Sequence, residues 1–277
     1  MAVVHKSCAG YGAEPFASLV ADYPGEDVYP PADFRTEWGP VFHRGRLDGS
    51  ARVVVIGQDP ATHEAISRRI LVGEAGQRVQ GLLAKVGVHT AYAMVNVYLY
   101  SVFGQVAGSR HAKDVEIAAY RHRWLDTLLV GTDVTAVVAL GDLAATAYAQ
   151  WARTQAPTAK SLHLAAIRHP TYAEGFARAS GRPLVETTAA QLANWNDHLG
   201  DLSAHLTPEG PTDLTPYAAT WAPTDLRPIP EVDLPAGVPG WWREVDGWAT
   251  RVGDSTQRKR ATITVVVPTG ARSWPPL

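Results

Sequence analysis

The sequence predicts an α/β fold, a three-layer α/β/α arrangement around a central, mostly parallel four-stranded sheet. Short β-branched runs alternate with longer helical patterns through the middle of the chain, the pattern of a parallel sheet covered by helices. Each apolar run is followed by a polar or glycine-containing turn. The 277 residues, 46% of them hydrophobic, are ample for a buried core.

The strands are predicted at RVVVI (52–56), AYAMVNV (91–97), VTAVVAL (134–140) and LHLAAI (162–167). After the first, EAGQRVQGLLAKVG (74–87) places Val79, Leu82, Leu83 and Val86 at helical spacing, with Gly87 as a stop. Asp114 to Leu129 and GDLAATAYAQWA (141–152) read as helices in the same way. The second has Asp142 near its N-terminus, where negative charge is favoured. A further helix is predicted over roughly 186–205. Beyond Thr207 the chain is rich in proline, poor in periodicity and unusually supplied with tryptophan. Residues 207–240 read as an extended segment held against the domain surface, 241–250 as a short helix, and ATITVVVP (261–268) as a late strand. Trp221, Trp241, Trp242, Trp248 and Trp274 argue against a disordered tail. The expected division is an N-terminal segment packed on the core (1–44), a principal domain (45–206) and a Pro/Trp-rich C-terminal extension (207–277).

Lys and Arg number 25 against 27 Asp and Glu, so no overall basic field announces a nucleic-acid partner, and only a local basic face is compatible with one. Cys8 is the only cysteine, which excludes an internal disulfide framework and any zinc or iron–sulfur site built from several thiolates. That fits a reducing cytoplasm. MAVVHKSCAGYGAEP lacks the long apolar stretch of a secretory leader, and no run approaches the ~18 apolar residues of a membrane span. The expectation is a cytoplasmic monomer without membrane attachment.

Open parallel sheets bind ligands at the carboxyl ends of their strands. Those ends carry Gly57-Gln58-Asp59-Pro60, then Asn96, then Gly141-Asp142, then His169-Pro170. A carboxylate can orient or deprotonate water, an amide can read a flat heterocycle, and an imidazole can donate to an oxygen that gathers charge. Together they suit cleavage of a bond to a nucleobase. Read singly, each residue has a plainer alternative: Gly-x-Asp-Pro is also an ordinary turn, Asn96 can cap a neighbouring loop, and His169 can be a packed loop histidine.

In this order the motifs resemble the uracil-DNA glycosylase superfamily. GQDP (57–60) is similar to its first motif in the family 1 form, and LVGEAGQRVQGLLAKVG (71–87) to the region that follows in family 4. The strand ending in Asn96, ALGDLAA (139–145) and RHP (168–170) match further, so the resemblance covers roughly 45–205. It implies an enzyme acting on a base flipped out of DNA. Asp59 would position and activate the attacking water, Gln58 would make contacts near the base, and Asn96 would bind the Watson–Crick edge of the pyrimidine. His169 would stabilise negative charge at the O2 of the departing base. Pro170, Tyr172 and Phe176 follow as the residues that contact DNA.

The departures bear on specificity. Family 1 has a tyrosine soon after GQDP that closes the pocket against a 5-methyl group; here Ala61 and Thr62 follow, which leaves room at C5. The aromatic that stacks on uracil in family 4 aligns with Leu71. HPTYAEG lacks the inserted leucine of family 1, a role open to Tyr172 or Phe176. The family 4 cluster cysteines are missing, so no iron–sulfur cluster, other metal or cofactor is expected. Two readings follow. One is a monofunctional glycosylase that hydrolyses the N-glycosidic bond of uracil or a modified pyrimidine and leaves an abasic site, with no lysine nucleophile. The other is a diverged member that binds DNA or a nucleotide without base excision. A doubly wound nucleotide-binding protein is disfavoured because the loop after the first strand has no G-x-G-x-x-G or Walker pattern.

Overall fold

The computed structural model describes residues 10–244 and 247–271, so Cys8 and Trp274 lie outside the described residues. Strands β1 (His43–Gly45), β2 (Val53–Gly57), β3 (Tyr92–Asn96), β4 (Ala136–Leu140) and β5 (His163–Ile167) form one sheet in the order β1-β3-β2-β4-β5. The pairs β2–β3, β2–β4 and β4–β5 are parallel, whereas β1 runs antiparallel to β3. The helices are α1 (Phe16–Ala21), α2 (Thr62–Ser67), α3 (Glu74–Lys85), α4 (Gln105–Arg110), α5 (Val115–Leu129), α6 (Asp142–Thr154), α7 (Ala156–Ser161), α8 (Tyr172–Ser180) and α9 (Leu184–Ala204).

Alternation along the strands builds the three layers. Val54, Ile56, Val95, Val137 and Ala139 point to one face and pack with residues of α1, α5 and α6. Val53, Val55, Met94, Ala136 and Val138 point to the other and meet α3 and α9. Both faces are covered, which is why these strands read as continuous apolar runs rather than alternating ones. Burying each Val or Ile contributes on the order of 1.5–3 kcal/mol. Local signals set the helix ends: α5 begins after Asp114, whose carboxylate accepts the N–H of Glu116 (3.0 Å) and Ile117 (3.2 Å).

The sheet has five strands, not the expected four. The extra strand, β1, carries Arg44 and is followed by Arg46, both buried, and its three residues, His43-Arg44-Gly45, contain no apolar run to announce it. Its charges are matched from far away in sequence. Asp233, fully buried in the extension, accepts from Arg44 Nη1 (3.2 Å) and Arg46 Nη2 (2.8 Å), and Tyr92 donates its hydroxyl to the same carboxylate. Arg69 Nε donates to the Asp233 carbonyl (3.1 Å).

After α9 the extension runs back across the α3 side of the molecule. Glu209 accepts the N–H groups of His89 (2.6 Å), Thr90 (2.7 Å) and Ala91 (2.9 Å), closing the turn before β3. Tyr217 and Trp221 pack edge-on against Trp195 of α9, and the guanidinium of Arg78 lies 4.7 Å above the Trp221 ring. Further on, Ile229, Leu234, Trp248 and Ala249 form a small apolar cluster with Val72. The helix expected at 241–250 does not form. Gly240–Trp242 is a single 3-10 turn, and Ala249–Thr250 is strand β6, paired antiparallel with β7 (Thr264–Val265) inside the predicted late strand. Trp242 and Trp248 stack at 4.4 Å between centroids, whereas residues six apart on a helix point about 120° away from each other, so the chain folds back to join the rings. Between β6 and β7 lies α10 (Thr256–Ala261). Among the described residues no helix is long and apolar enough to cross a membrane.

Candidate active site

The helix that follows β2 in the sheet crossover, α3, packs on one face, and the helix after β4, α6, packs on the other. Chain leaving these two neighbouring strands therefore diverges and opens a crevice at their carboxyl ends. Parallel pairing continues past β2 and β3: Val97 donates its N–H to the Gly57 carbonyl (3.1 Å) and Tyr98 to that of Gln58 (2.9 Å). These bonds fix the GQDP turn to the β3 loop.

Asp59 extends from that turn, and its Oδ2 accepts the N–H of Val102 at 3.1 Å. It keeps some contact with solvent, but the surrounding protein removes most of its hydration. Desolvation pushes the carboxyl up to about 7; the Val102 N–H pulls it down, the Glu64 carboxylate pushes it further up, and Arg251 lowers it. Near neutral pH this group exchanges a proton readily.

Asn96 sits opposite Gly57 in the β2–β3 register. A β-carbon at position 57 would stand 2.3 Å from Asn96 Oδ1, so only glycine lets the amide lie across the strand end. Beneath Asn96, on the α5 face, is a cavity of about 10 Å³ bordered by Tyr29, Phe42, Tyr120, Arg121 and Trp124. That volume is on the scale of one water molecule and does not fit a nucleobase.

Gly141, with φ of 85°, brings the third loop close: a β-carbon there would be 2.9 Å from Gln58 Nε2 and 3.3 Å from His169 Cβ. Gln58, Gly141 and His169 thus converge from three different loops. The Nδ1 of His169 lies 3.1 Å from Thr171 Oγ1 and accepts the Thr171 N–H at 3.3 Å. A backbone N–H can only donate, so Nδ1 is the unprotonated nitrogen and Nε2 carries the hydrogen. Burial pushes the imidazolium down to about 4, opposed by Glu174 and reinforced by Arg78, so the ring is neutral at pH 7.

The loop bearing His169 is held from two helices. On α9, Asn194 Oδ1 accepts the Arg168 N–H (2.7 Å), Trp195 Nε1 donates to the Arg168 carbonyl (2.9 Å), and Gln191 Oε1 accepts the Ala173 N–H (3.0 Å). On α3, buried Arg78 donates to the Pro170 carbonyl (2.6 Å) and pairs with Glu174 (2.8 Å) and with Glu74. Pro170, expected to face DNA, is instead buried, and its carbonyl is shared between Arg78 and Gln191 Nε2 (2.8 Å). Tyr172 and Phe176 stack at 5.3 Å along α8, Phe176 is 39% exposed, and the Arg168 guanidinium lies 4.8 Å from the Tyr172 ring centre.

Ala61 is exposed at the start of α2. Leu71 is buried among the apolar residues of the α3 face, with a left-handed backbone (φ 56°) unusual for a bulky side chain, which leaves little of it for a ligand. Glu64, which sequence reasoning does not single out, links these two positions: its Oε2 accepts the Ala61 N–H (3.0 Å) and its Oε1 the Val72 N–H (3.1 Å). A glutamate three residues into a helix start is a visible signal for the first bond. Gln191 and Asn194 had a weaker one, as polar residues on the apolar side of α9. For Arg78 only the pairing with Glu74 four residues earlier was visible, since the carbonyl it holds is 92 residues away.

A search of curated proteins finds no match to this chain. The family model of the Uracil DNA glycosylase superfamily matches residues 44–200, from β1 into the last helix of the sandwich. That span is more than half of the chain and contains every strand-end loop of the crevice. The chain belongs to the uracil DNA glycosylase superfamily, with the extension that packs across α3 lying beyond the matched region.

Proposed function

We propose that the protein is a monofunctional DNA glycosylase that hydrolyses the N-glycosidic bond of uracil or a modified pyrimidine flipped out of DNA, leaving an abasic site. What supports this reading is the convergence of the strand-end loops: Gln58, next to Asp59, and His169 both come close to Gly141, and His169 keeps its hydrogen on Nε2 because Nδ1 accepts the Thr171 N–H. Cleaving the bond builds oxocarbenium-like positive charge on the sugar and negative charge on the base. Asp59, as the carboxylate, orients the water, takes up its proton and faces the sugar. The Nε2–H of His169 donates to the pyrimidine O2 as charge gathers there, and a neutral donor does this without a proton first having to bind. The Asn96 amide reads the base edge and Gln58 lines the same space. The small, exposed Ala61 after the turn supports a pocket open at C5.

A second reading, DNA binding without base excision, draws on Leu71, whose burial leaves the stacking surface unfilled at that position. An excision assay separates the two. Single- and double-stranded oligonucleotides carrying uracil, thymine mismatches or 5-modified pyrimidines are incubated with the wild type and with Asp59→Asn. Abasic-site formation that falls by at least about 10²-fold in the variant supports the glycosylase. Binding with no abasic product on any substrate supports the second reading.

A further inference from the structure

The β6–β7 hairpin lies outside the matched family region, yet it docks on the segment that follows Asp59. The Ala249 N–H donates to His63 Nε2 (3.3 Å), and the Trp248 ring meets the His63 ring edge-on at 4.8 Å. His63 belongs to α2, four residues past Asp59. The hairpin is also tied to its own stem, since Val266 donates its N–H to the Trp248 carbonyl (2.7 Å). Arg251, Arg258 and Lys259 are exposed on it, and the only carboxylate paired with any of them among the described residues is the exposed Asp254, 3.3 Å from Arg258. Val252, Val265, Val266 and Val267 of the same element are exposed as well, at 46–58%. Four exposed valines beside the strands and three exposed cations, Arg251 after β6 and Arg258 and Lys259 on α10, mark this element as an interaction surface.

We propose that this hairpin is a DNA-binding element, in which Arg251, Arg258 and Lys259 hold the phosphodiester backbone of the strand entering the crevice beside Asp59. The proposal rests on the glycosylase reading for the direction in which the strand runs. It fits the charge of the chain, which is −2 overall, so contacts to phosphates must come from local basic elements of this kind. It also fits the position of Arg251, whose charge is felt at the Asp59 carboxylate. The valines give the sugar faces of the strand an apolar bed.

The test uses full-length protein and fluorescein-labelled uracil oligonucleotides, single- and double-stranded, with binding followed by anisotropy over a range of KCl concentrations. The variants are Arg251→Ala, the triple Arg251→Ala/Arg258→Ala/Lys259→Ala, and Arg251→Lys. The triple variant should bind at least about tenfold more weakly, and its slope of log K against log salt should flatten by roughly 0.9 for each phosphate left unneutralised on duplex, or 0.7 on single strands. Arg251→Lys should keep most of the wild-type slope. An unchanged affinity and slope in the triple variant, with its melting temperature preserved, overturns the proposal. Excision by the wild type is measured alongside. Activity with an unchanged slope sinks the hairpin proposal alone, a flattened slope without excision sinks the glycosylase reading alone, and a wild type that binds no DNA sinks both.

Discussion

Asp59 meets two demands of opposite sign. Its carboxyl titrates at about 7 in the folded chain and near 3.9 in an unfolded one, so between these values the folded protein holds a proton that the unfolded chain has released. The stability linked to this group is full below about pH 4 and is lost as pH rises through 7. Asp59→Asn should therefore raise the melting temperature at pH 8, by the equivalent of about 1–2 kcal/mol once solvent contact is allowed for, and leave it unchanged at pH 4. Activity runs the other way. If the carboxylate is the working form, kcat rises with pH through about 7, and His169, already neutral, adds no second limb. Two neighbours should move that limb in opposite directions: Glu64→Gln removes a charge that raises the Asp59 pKa and shifts the limb to lower pH, while Arg251→Ala removes one that lowers it and shifts the limb to higher pH. A limb that stays in place in both variants assigns the titration to another group.

At the scale of elements, the proposed specificity residues sit at α2 and α8, Ala61 just before the first and Tyr172 and Phe176 on the second. Enlarging Ala61 to Tyr at the start of α2 should exclude pyrimidines with bulky 5-substituents while leaving uracil excision within about tenfold, a split read from kcat/KM on the two substrates. An equal loss on both would show that position 61 acts on the loop and not on C5. The helices and parallel strands were legible because their apolar periodicities are local: Val53–Ile56 and Val79–Val86 announce themselves within a dozen residues. The placement of Asp59, Asn96 and His169 at strand ends was legible for the same reason. What the sequence hid was held by distant partners. The carbonyl of Pro170 is fixed by Arg78 and Gln191, and Trp248, stacked on Trp242 where a helix was expected, packs with Val72 far back in the chain.

At the scale of the molecule, the extension and the sandwich share one buried electrostatic knot. Asp233 answers both Arg44 and Arg46 with all three side chains out of solvent, so neither partner is tolerable without the other. Asp233→Asn should destabilise the protein by about 3–5 kcal/mol, read as a lower urea midpoint. A midpoint within error of the wild type would mean that water reaches the two guanidiniums. Here the sequence was silent, because a lone aspartate among prolines carries no mark of its partners 187 and 189 residues earlier.

That distance also orders events in time. The ribosome delivers Arg44 and Arg46 long before Asp233, and N-terminal parts fold first as they emerge. Until residue 233 is out, the edge strand β1 and the residue just after it carry two positive charges without this carboxylate. The two guanidiniums therefore gain their buried carboxylate partner only once the extension has been made.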